Sequence, residues 1–133
     1  MKTILVTGGA GFFGGIVKRH ILEQGHRCIS VDLVRDEDEY PNLVKHQIDI
    51  RDVAKLRRVF AEQPIDGVIH CAAILAHTGA DPKFLWSSNV DGTRNVMDAM
   101  RRYGVQHIVF TSSNCLWSES MAPGTRRRST RSR

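Results

Sequence analysis

An α/β fold built on a doubly wound parallel sheet, about five strands in the order 3-2-1-4-5, is what this sequence predicts. Three features predict it. Short runs rich in β-branched residues alternate with stretches whose apolar residues recur at helical spacing, the pattern of parallel strands with helices on both faces. The first of these strands runs without a linker into Gly8-Gly9-Ala10-Gly11-Phe12-Phe13-Gly14 and then into a helix. The second ends on an acid, Asp32, eighteen residues after Gly14. Right-handed crossovers then give the strand order.

Each element has its own justification. Lys2-Thr3-Ile4-Leu5-Val6-Thr7 is apolar and β-branched, a first strand. Ile16, Val17, Ile21 and Leu22 have helical spacing, and Gly25 is the stop signal. Cys28-Ile29-Ser30-Val31-Asp32 is the second strand. Arg35 to Pro41 is polar, with the acidic run Asp36-Glu37-Asp38-Glu39, and reads as a solvated loop. Leu43 to Ile48 is a short third strand. Asp49 or Asp52 caps the helix that follows, in which Val53, Leu56, Val59 and Phe60 share a face. Pro64-Ile65-Asp66-Gly67 is a turn, and Val68 to Ala73 the fourth strand and its exit. Asp81 and Pro82 open the next helix as N-cap and first helical residue. It runs to Arg102, although Gly92 weakens its middle. Tyr103-Gly104-Val105 closes it, and Gln106 to Ser112 is the fifth strand.

Strand, glycine turn, helix, strand and acid together form a dinucleotide-binding fingerprint. Gly8 to Gly11 lets the backbone turn sharply, with positive φ expected there. Glycines without Cβ admit a pyrophosphate close to the main-chain N–H groups, and Gly14 lets the helix pack close to the strand. The helix N-terminus offers unpaired N–H groups and a partial positive charge to phosphate. Asp32 is placed to accept hydrogen bonds from the adenosine ribose hydroxyls. Its charge repels a 2′-phosphate, which favours NAD over NADP.

Composition narrows the classes. Hydrophobic residues make up 41% of the chain, enough for one core. No run of apolar residues is long enough to span a bilayer, and no charged and apolar leader precedes the first strand, so neither membrane span nor secretory signal is expected. Cys28, Cys71 and Cys115 are widely spaced in apolar runs and read as small buried hydrophobes, in keeping with a reducing cytoplasm. The net charge of +5 matches the five arginines of residues 126–133, so the basicity belongs to the tail and no nucleic-acid partner is expected. His70 and His77 lack a third ligand at metal spacing, and His70 reads as a packed or hydrogen-bonding residue. Trp86 and Trp117 read as packing residues.

Five stretches carry a family resemblance. Thr7-Gly8-Gly9-Ala10-Gly11-Phe12-Phe13-Gly14 matches a TGGxGFxG loop, and Asp32 a ribose-binding acid. Asp49-Ile50-Arg51-Asp52 matches a D-[IL]-x-D segment at the adenine pocket, and His70-Cys71-Ala72-Ala73 an H-x-A-[AG] turn. Asn89-Val90-Asp91-Gly92-Thr93-Arg94-Asn95 matches N-V-x-G-T-x-N. Together, over residues 1 to 117, they resemble the extended short-chain dehydrogenase/reductases, specifically the NAD-dependent epimerase/dehydratase group. The resemblance implies a Rossmann fold that binds NAD through Gly8, Gly11, Phe12, Phe13, Gly14, Asp32, Asp49, Ile50, Cys71, Ala72, Ala73 and Asn89. It also implies a nucleotide-sugar-like substrate and, in full-length relatives, a homodimer. Thr111-Ser112-Ser113 resembles the family's strand-end serine run. Ser113 would then be the catalytic serine that hydrogen-bonds the reacting oxygen; without the resemblance it reads equally as a strand-to-loop cap.

The family's catalytic base is a tyrosine in a Y-x-x-x-K motif. Tyr40 and Tyr103 are the tyrosines here, and four residues on stand Val44 and His107. The tyrosine, the lysine, the sixth strand and the substrate domain are thus expected to be absent from a chain that ends twenty residues after Ser113. Residues 1–117 form the expected NAD-binding domain. Residues 118–133 form a basic tail that reads either as a disordered acid-binding segment or as the product of truncation or frameshift. Two functional readings follow: the cofactor half of an epimerase/dehydratase-type oxidoreductase, inactive alone, or a non-catalytic NAD(H)-binding module.

Overall fold

The computed structural model describes residues 1–75 and 79–112. Ser113, His77, Cys115, Trp117 and the 118–133 tail lie outside the described residues. In chain order the elements are β1 (Thr3–Thr7), α1 (Phe12–Glu23), β2 (Arg27–Asp32), β3 (Leu43–Gln47), α2 (Val53–Glu62) and β4 (Gly67–His70). Then come α3 (Pro82–Trp86), a π-helical turn (Ser87–Asp91), α4 (Gly92–Arg102) and β5 (Ile108–Phe110). Among the described residues the strands form one parallel sheet in the order β3-β2-β1-β4-β5, the predicted order.

The centre of the sheet is β1, because it is apolar on both faces. Leu5 and Val6 are both fully buried but belong to opposite faces. Leu5 joins Ile29, Val31 and Val68 against Leu56, Val59, Val96 and Met100 of α2 and α4. Val6 joins Ile21 and Cys28 beneath α1. Each such burial contributes about 1.5–3 kcal/mol, which is why near-continuous apolar strands settle in the middle of a covered parallel sheet.

Helix ends follow the predicted signals. Gly25, at φ +80°, ends α1, with its N–H on the Leu22 carbonyl at 3.0 Å. Of the two candidate caps for α2, it is Asp52 that accepts from the Lys55 N–H, at 3.1 Å. Asp81 caps α3 by accepting from the Lys83 N–H at 3.0 Å, with Pro82 as the first helical residue.

Four expectations are corrected. The long helix from Pro82 is interrupted by the π-helical turn at Ser87–Asp91. Gly92 at its exit admits the neighbouring Ile50, whose Cδ1 would lie 2.6 Å from an added Cβ. Trp86 is 65% exposed, so it is no packing residue. The acidic loop is not wholly solvated: Asp36 is buried, drawn in by the ammonium of Lys18 from α1. The fifth strand is shorter than predicted, Ile108–Phe110, and all three of its residues are exposed.

Candidate dinucleotide site

The loops after β1, β2, β3 and β4 converge at the carboxyl ends of the strands, beside the point where the strand order reverses between β1 and β4. There they enclose a cleft of about 230 Å³. Gly8 opens its floor with φ +72°, a conformation that only glycine adopts freely. Its N–H donates to the Val31 carbonyl at 2.7 Å, and an added Cβ would lie 2.9 Å from the Ala72 nitrogen. The positive φ expected along the turn is confined to Gly8 among these glycines. Gly11 is extended, at φ −80°, and a Cβ there would touch the Gly8 carbonyl oxygen at 3.2 Å. Gly14 lies beneath the turn, where a Cβ would be 2.7 Å from the Gly8 carbonyl carbon. Gly11 is also the N-cap of α1 and supplies no side-chain cap, leaving the N–H groups of the first turn available to an anion.

Asp32 is half-buried at the end of β2, on the cleft wall. Its Oδ2 accepts from the Ala10 N–H at 3.0 Å and its Oδ1 from the Val34 N–H at 3.1 Å. The carboxylate is therefore tied to both the glycine turn and its own following loop. Asp49 is gripped by Arg51, whose Nε lies 2.9 Å and whose Nη2 lies 2.6 Å from Oδ2. That grip holds the Asp49 carboxyl below its ordinary range. Arg51 in turn donates to Ser87 Oγ at 3.1 Å and lies over the Phe84 ring. Ile50 is buried beside them, its carbonyl accepting from Asn95 Nδ2 at 3.0 Å.

The β4 wall rests on a chain of hydrogen bonds through His70. Thr93 Oγ1 donates to the Asn89 carbonyl at 2.7 Å, so it accepts from His70 Nε2–H at 2.8 Å. His70 Nδ1 then carries no proton and accepts from Thr7 Oγ1 at 2.6 Å. Thr7 Oγ1 itself accepts from the Cys71 and Ala72 N–H groups, both at 3.1 Å. Burial pushes the His70 pKa down to about 4, which keeps the ring neutral at physiological pH. The Cys71, Ala72 and Ala73 turn is thereby set against the cleft. Burial also raises the Cys71 thiol pKa, so it is no thiolate at neutral pH. Asn89 uses both ends of its amide on Ile74, accepting from its N–H at 2.8 Å and donating to its carbonyl at 2.9 Å.

Gly8, Gly11, Asp32, Asp49, Ile50, Cys71, Ala72 and Ala73 thus line one cleft. Phe13 and Asn89 line an adjoining one, shared with Cys71 to Ala73 and closed by Phe110, Thr111 and Ser112. The Phe12 side chain is 88% exposed and lines neither, which leaves its N–H as the group at the helix start. Sequence reasoning missed Leu33, Val34, Ile74 and Ser88, which also line the cleft. The signal for the first two was two apolar residues standing directly after Asp32 in an otherwise polar loop. The glycine turn, open helix start, acid at the end of β2 and reversal of strand order define a dinucleotide-binding Rossmann domain. The residues fit such a ligand, since the floor of the cleft is backbone that a Cβ would obstruct.

The chain belongs to the NAD dependent epimerase/dehydratase family, whose model matches residues 4–132. It is 32% identical over 132 residues to UDP-glucose 4-epimerase 2 of Oryza sativa subsp. japonica, covering 88% of this chain and 32% of that protein. It is 37% identical over 144 residues to UDP-glucose 4-epimerase of Neisseria meningitidis serogroup B, covering 93% of this chain and 42% of the relative. Among solved structures, UDP-glucose 4-epimerase of Thermotoga maritima with UDP-glucose superposes with a TM-score of 0.77 at 30% identity, over 84% of this chain and 38% of that one. The Bifidobacterium longum enzyme in complex with NAD+ and UDP gives 0.74 at 32% identity, over 85% and 37%. The chain spans about two fifths or less of the length of these relatives.

Proposed function

We propose that this chain is the NAD-binding portion of an NAD-dependent epimerase/dehydratase-type oxidoreductase acting on a nucleotide sugar. One observation carries the reading: the glycine turn at Gly8 and Gly11, the Asp32 carboxylate and the Asp49-Ile50 segment line a single cleft. Gly8, Gly11 and the N–H groups of the α1 start would hold the pyrophosphate, with Gly14 keeping the helix close. Asp32 would accept from the adenosine ribose hydroxyls, and Asp49 and Ile50 would bound the adenine. Cys71, Ala72 and Ala73 would flank the nicotinamide half, with Phe13 beside them and Asn89 bracing their turn through Ile74. NAD, when bound, supplies a hydride acceptor for a substrate carbinol. Ser113 would donate a hydrogen bond to the reacting oxygen. Two free thiols among the described residues, Cys28 and Cys71, accord with a cytoplasmic setting.

Calorimetric titration of NAD and NADP into the wild-type chain and Asp32→Ala tests the reading. Wild type should prefer NAD. Losing a charged acceptor costs about 1.5–3 kcal/mol, so Asp32→Ala should bind NAD roughly tenfold to a hundredfold more weakly and lose much of the preference. Unchanged NAD affinity in the variant would remove Asp32 from the site.

A non-catalytic NAD(H)-binding module is the second reading, favoured by the absence of any tyrosine with a lysine four positions on among the 133 residues. Reading the coding sequence beyond residue 117 in the other two frames separates the two. A Y-x-x-x-K there supports the enzyme, and its absence the module.

A further inference from the structure

Lys18 is the largest fully buried side chain among the described residues, and no part of the dinucleotide fingerprint calls for it. It sits in α1 with its ammonium 2.8 and 2.7 Å from the two carboxylate oxygens of Asp36 and 2.9 Å from Asp38 Oδ2. Ser30 Oγ, from β2, donates to Asp36 Oδ2 at 2.6 Å, and the Asp38 N–H donates to Asp36 Oδ1 at 3.0 Å. Arg19 reaches Asp38 at 3.9 Å from the solvent side. Burial works against both charges, but these bonds outweigh it, raising the Lys18 pKa and lowering that of Asp36. A buried ion pair is a poor way to gain stability, since an apolar residue would fasten α1 to the sheet at least as well. What the pair does is fix where a particular loop goes.

That loop, residues 33–38, leaves β2 at Asp32 and borders the cleft through Leu33 and Val34. The Val34 N–H is one of the two donors that orient the Asp32 carboxylate, the other being Ala10 N–H from the glycine turn. The helix that carries Lys18 is also the one whose N-terminus opens on the cleft. We propose that Lys18 is a positioning residue for Asp32: by clasping Asp36 and Asp38 it fixes loop 33–38 and so sets the adenosine-ribose end of the cleft, including its choice of NAD over NADP. The second half of this statement rests on the reading that the cleft takes NAD.

The test uses the full chain and two variants, Lys18→Met and Asp36→Asn. Asp36→Asn keeps the ammonium paired with Asp38 and the Ser30 contact open, so it weakens the clasp without stranding a buried charge. Amide hydrogen exchange reports on the positioning independently of any ligand. In Lys18→Met the Val34 and Ala10 amides should exchange at least tenfold faster, with the Leu5 amide in the central strand unchanged. Asp36→Asn should move the same two amides in the same direction by a smaller factor. In titrations, the ratio of NAD to NADP affinity should fall in step, about tenfold in Lys18→Met, which loss of stability alone would not alter. Wild-type exchange at Val34 and Ala10 in a folded variant overturns the proposal. If Lys18→Met does not fold, Asp36→Asn decides it alone. Faster exchange with an unchanged affinity ratio overturns the selectivity half and leaves the positioning. A wild-type chain that binds no NAD removes the cofactor reading and the selectivity with it.

Discussion

His70 links the Thr7 and Thr93 hydroxyls in this arrangement only while its Nδ1 carries no proton. Its folded pKa of about 4 lies below its ordinary value of 6.5, so the unfolded chain binds the proton first. Stability from this group is therefore complete above pH 6.5 and is lost as pH falls towards 4, by about 3 kcal/mol in all. Chemical denaturation from pH 7 to pH 4 should show this loss, and His70→Asn, with no proton to gain, should lack that part of the slope. Two glycines of the turn after β1 should respond quite differently to substitution. Gly8→Ala must place a side chain at positive φ, costing about 1–2 kcal/mol, and also against the Ala72 backbone at 2.9 Å, so it should lower the melting temperature. Gly11 has an ordinary extended conformation, so Gly11→Val should fold. Its methyls would occupy the pyrophosphate's space, and calorimetry should then detect no NAD binding. A Gly11→Val chain that folds and binds normally would place the phosphate elsewhere.

The π-helical turn between α3 and α4 is the element that departs most from regularity, and it carries Ser88 and Asn89. Ser88 of that turn lines the cleft while Asn89 grips Ile74. Asn89→Ala would leave the Ile74 N–H and carbonyl without those partners, at about 1–3 kcal/mol. Thermal unfolding should register the loss, and the Ile74 amide should exchange faster. Strands, caps and order were legible because their causes are local. Asp81 followed by Pro82, Gly25 at a helix end and alternating periodicities act within a few residues. The turn at Ser87–Asp91 was not legible, because Gly92 is chosen for a neighbour, Ile50, forty-two positions earlier. Lys18 was hidden for the same reason. A charged residue in an amphipathic helix reads as surface, and its partners Asp36 and Asp38 read as a solvated run, until the fold brings them together. Of the site, the glycine turn and Asp32 could be read from spacing alone. The roles proposed for Asp49, Cys71 to Ala73 and Asn89 came through the family resemblance.

At the scale of the whole chain, we propose that the cofactor cleft does not catalyse epimerisation by itself. No tyrosine among its 133 residues has a lysine four positions on, and a serine hydroxyl cannot serve as the base unaided. Supplied with NAD and UDP-glucose, the purified chain should show no sustained formation of epimer and no build-up of NADH absorbance. Positioning of substrate against cofactor lowers barriers by about 7–11 kcal/mol, so binding of NAD alone is not expected to give turnover. Sustained turnover abolished by Ser113→Ala would reveal a base that the sequence does not disclose.

The sheet order also dictates when the molecule can be finished. Among the described strands β1 comes first in the chain, yet its partner on one side is β4, with Thr7 opposite His70. Sixty-three residues must leave the ribosome between those two positions, which takes about 3–13 s at ordinary elongation rates. Through that interval β1 can pair with β2, but its other edge, with the apolar Leu5 and Val6, has no strand to receive it. Contacts this distant in sequence also form slowly once both ends exist. The nascent chain is thus most exposed to capture by chaperones, or by its own copies on neighbouring ribosomes, before residue 70 emerges, and a pause in translation ahead of β4 would lengthen that exposure.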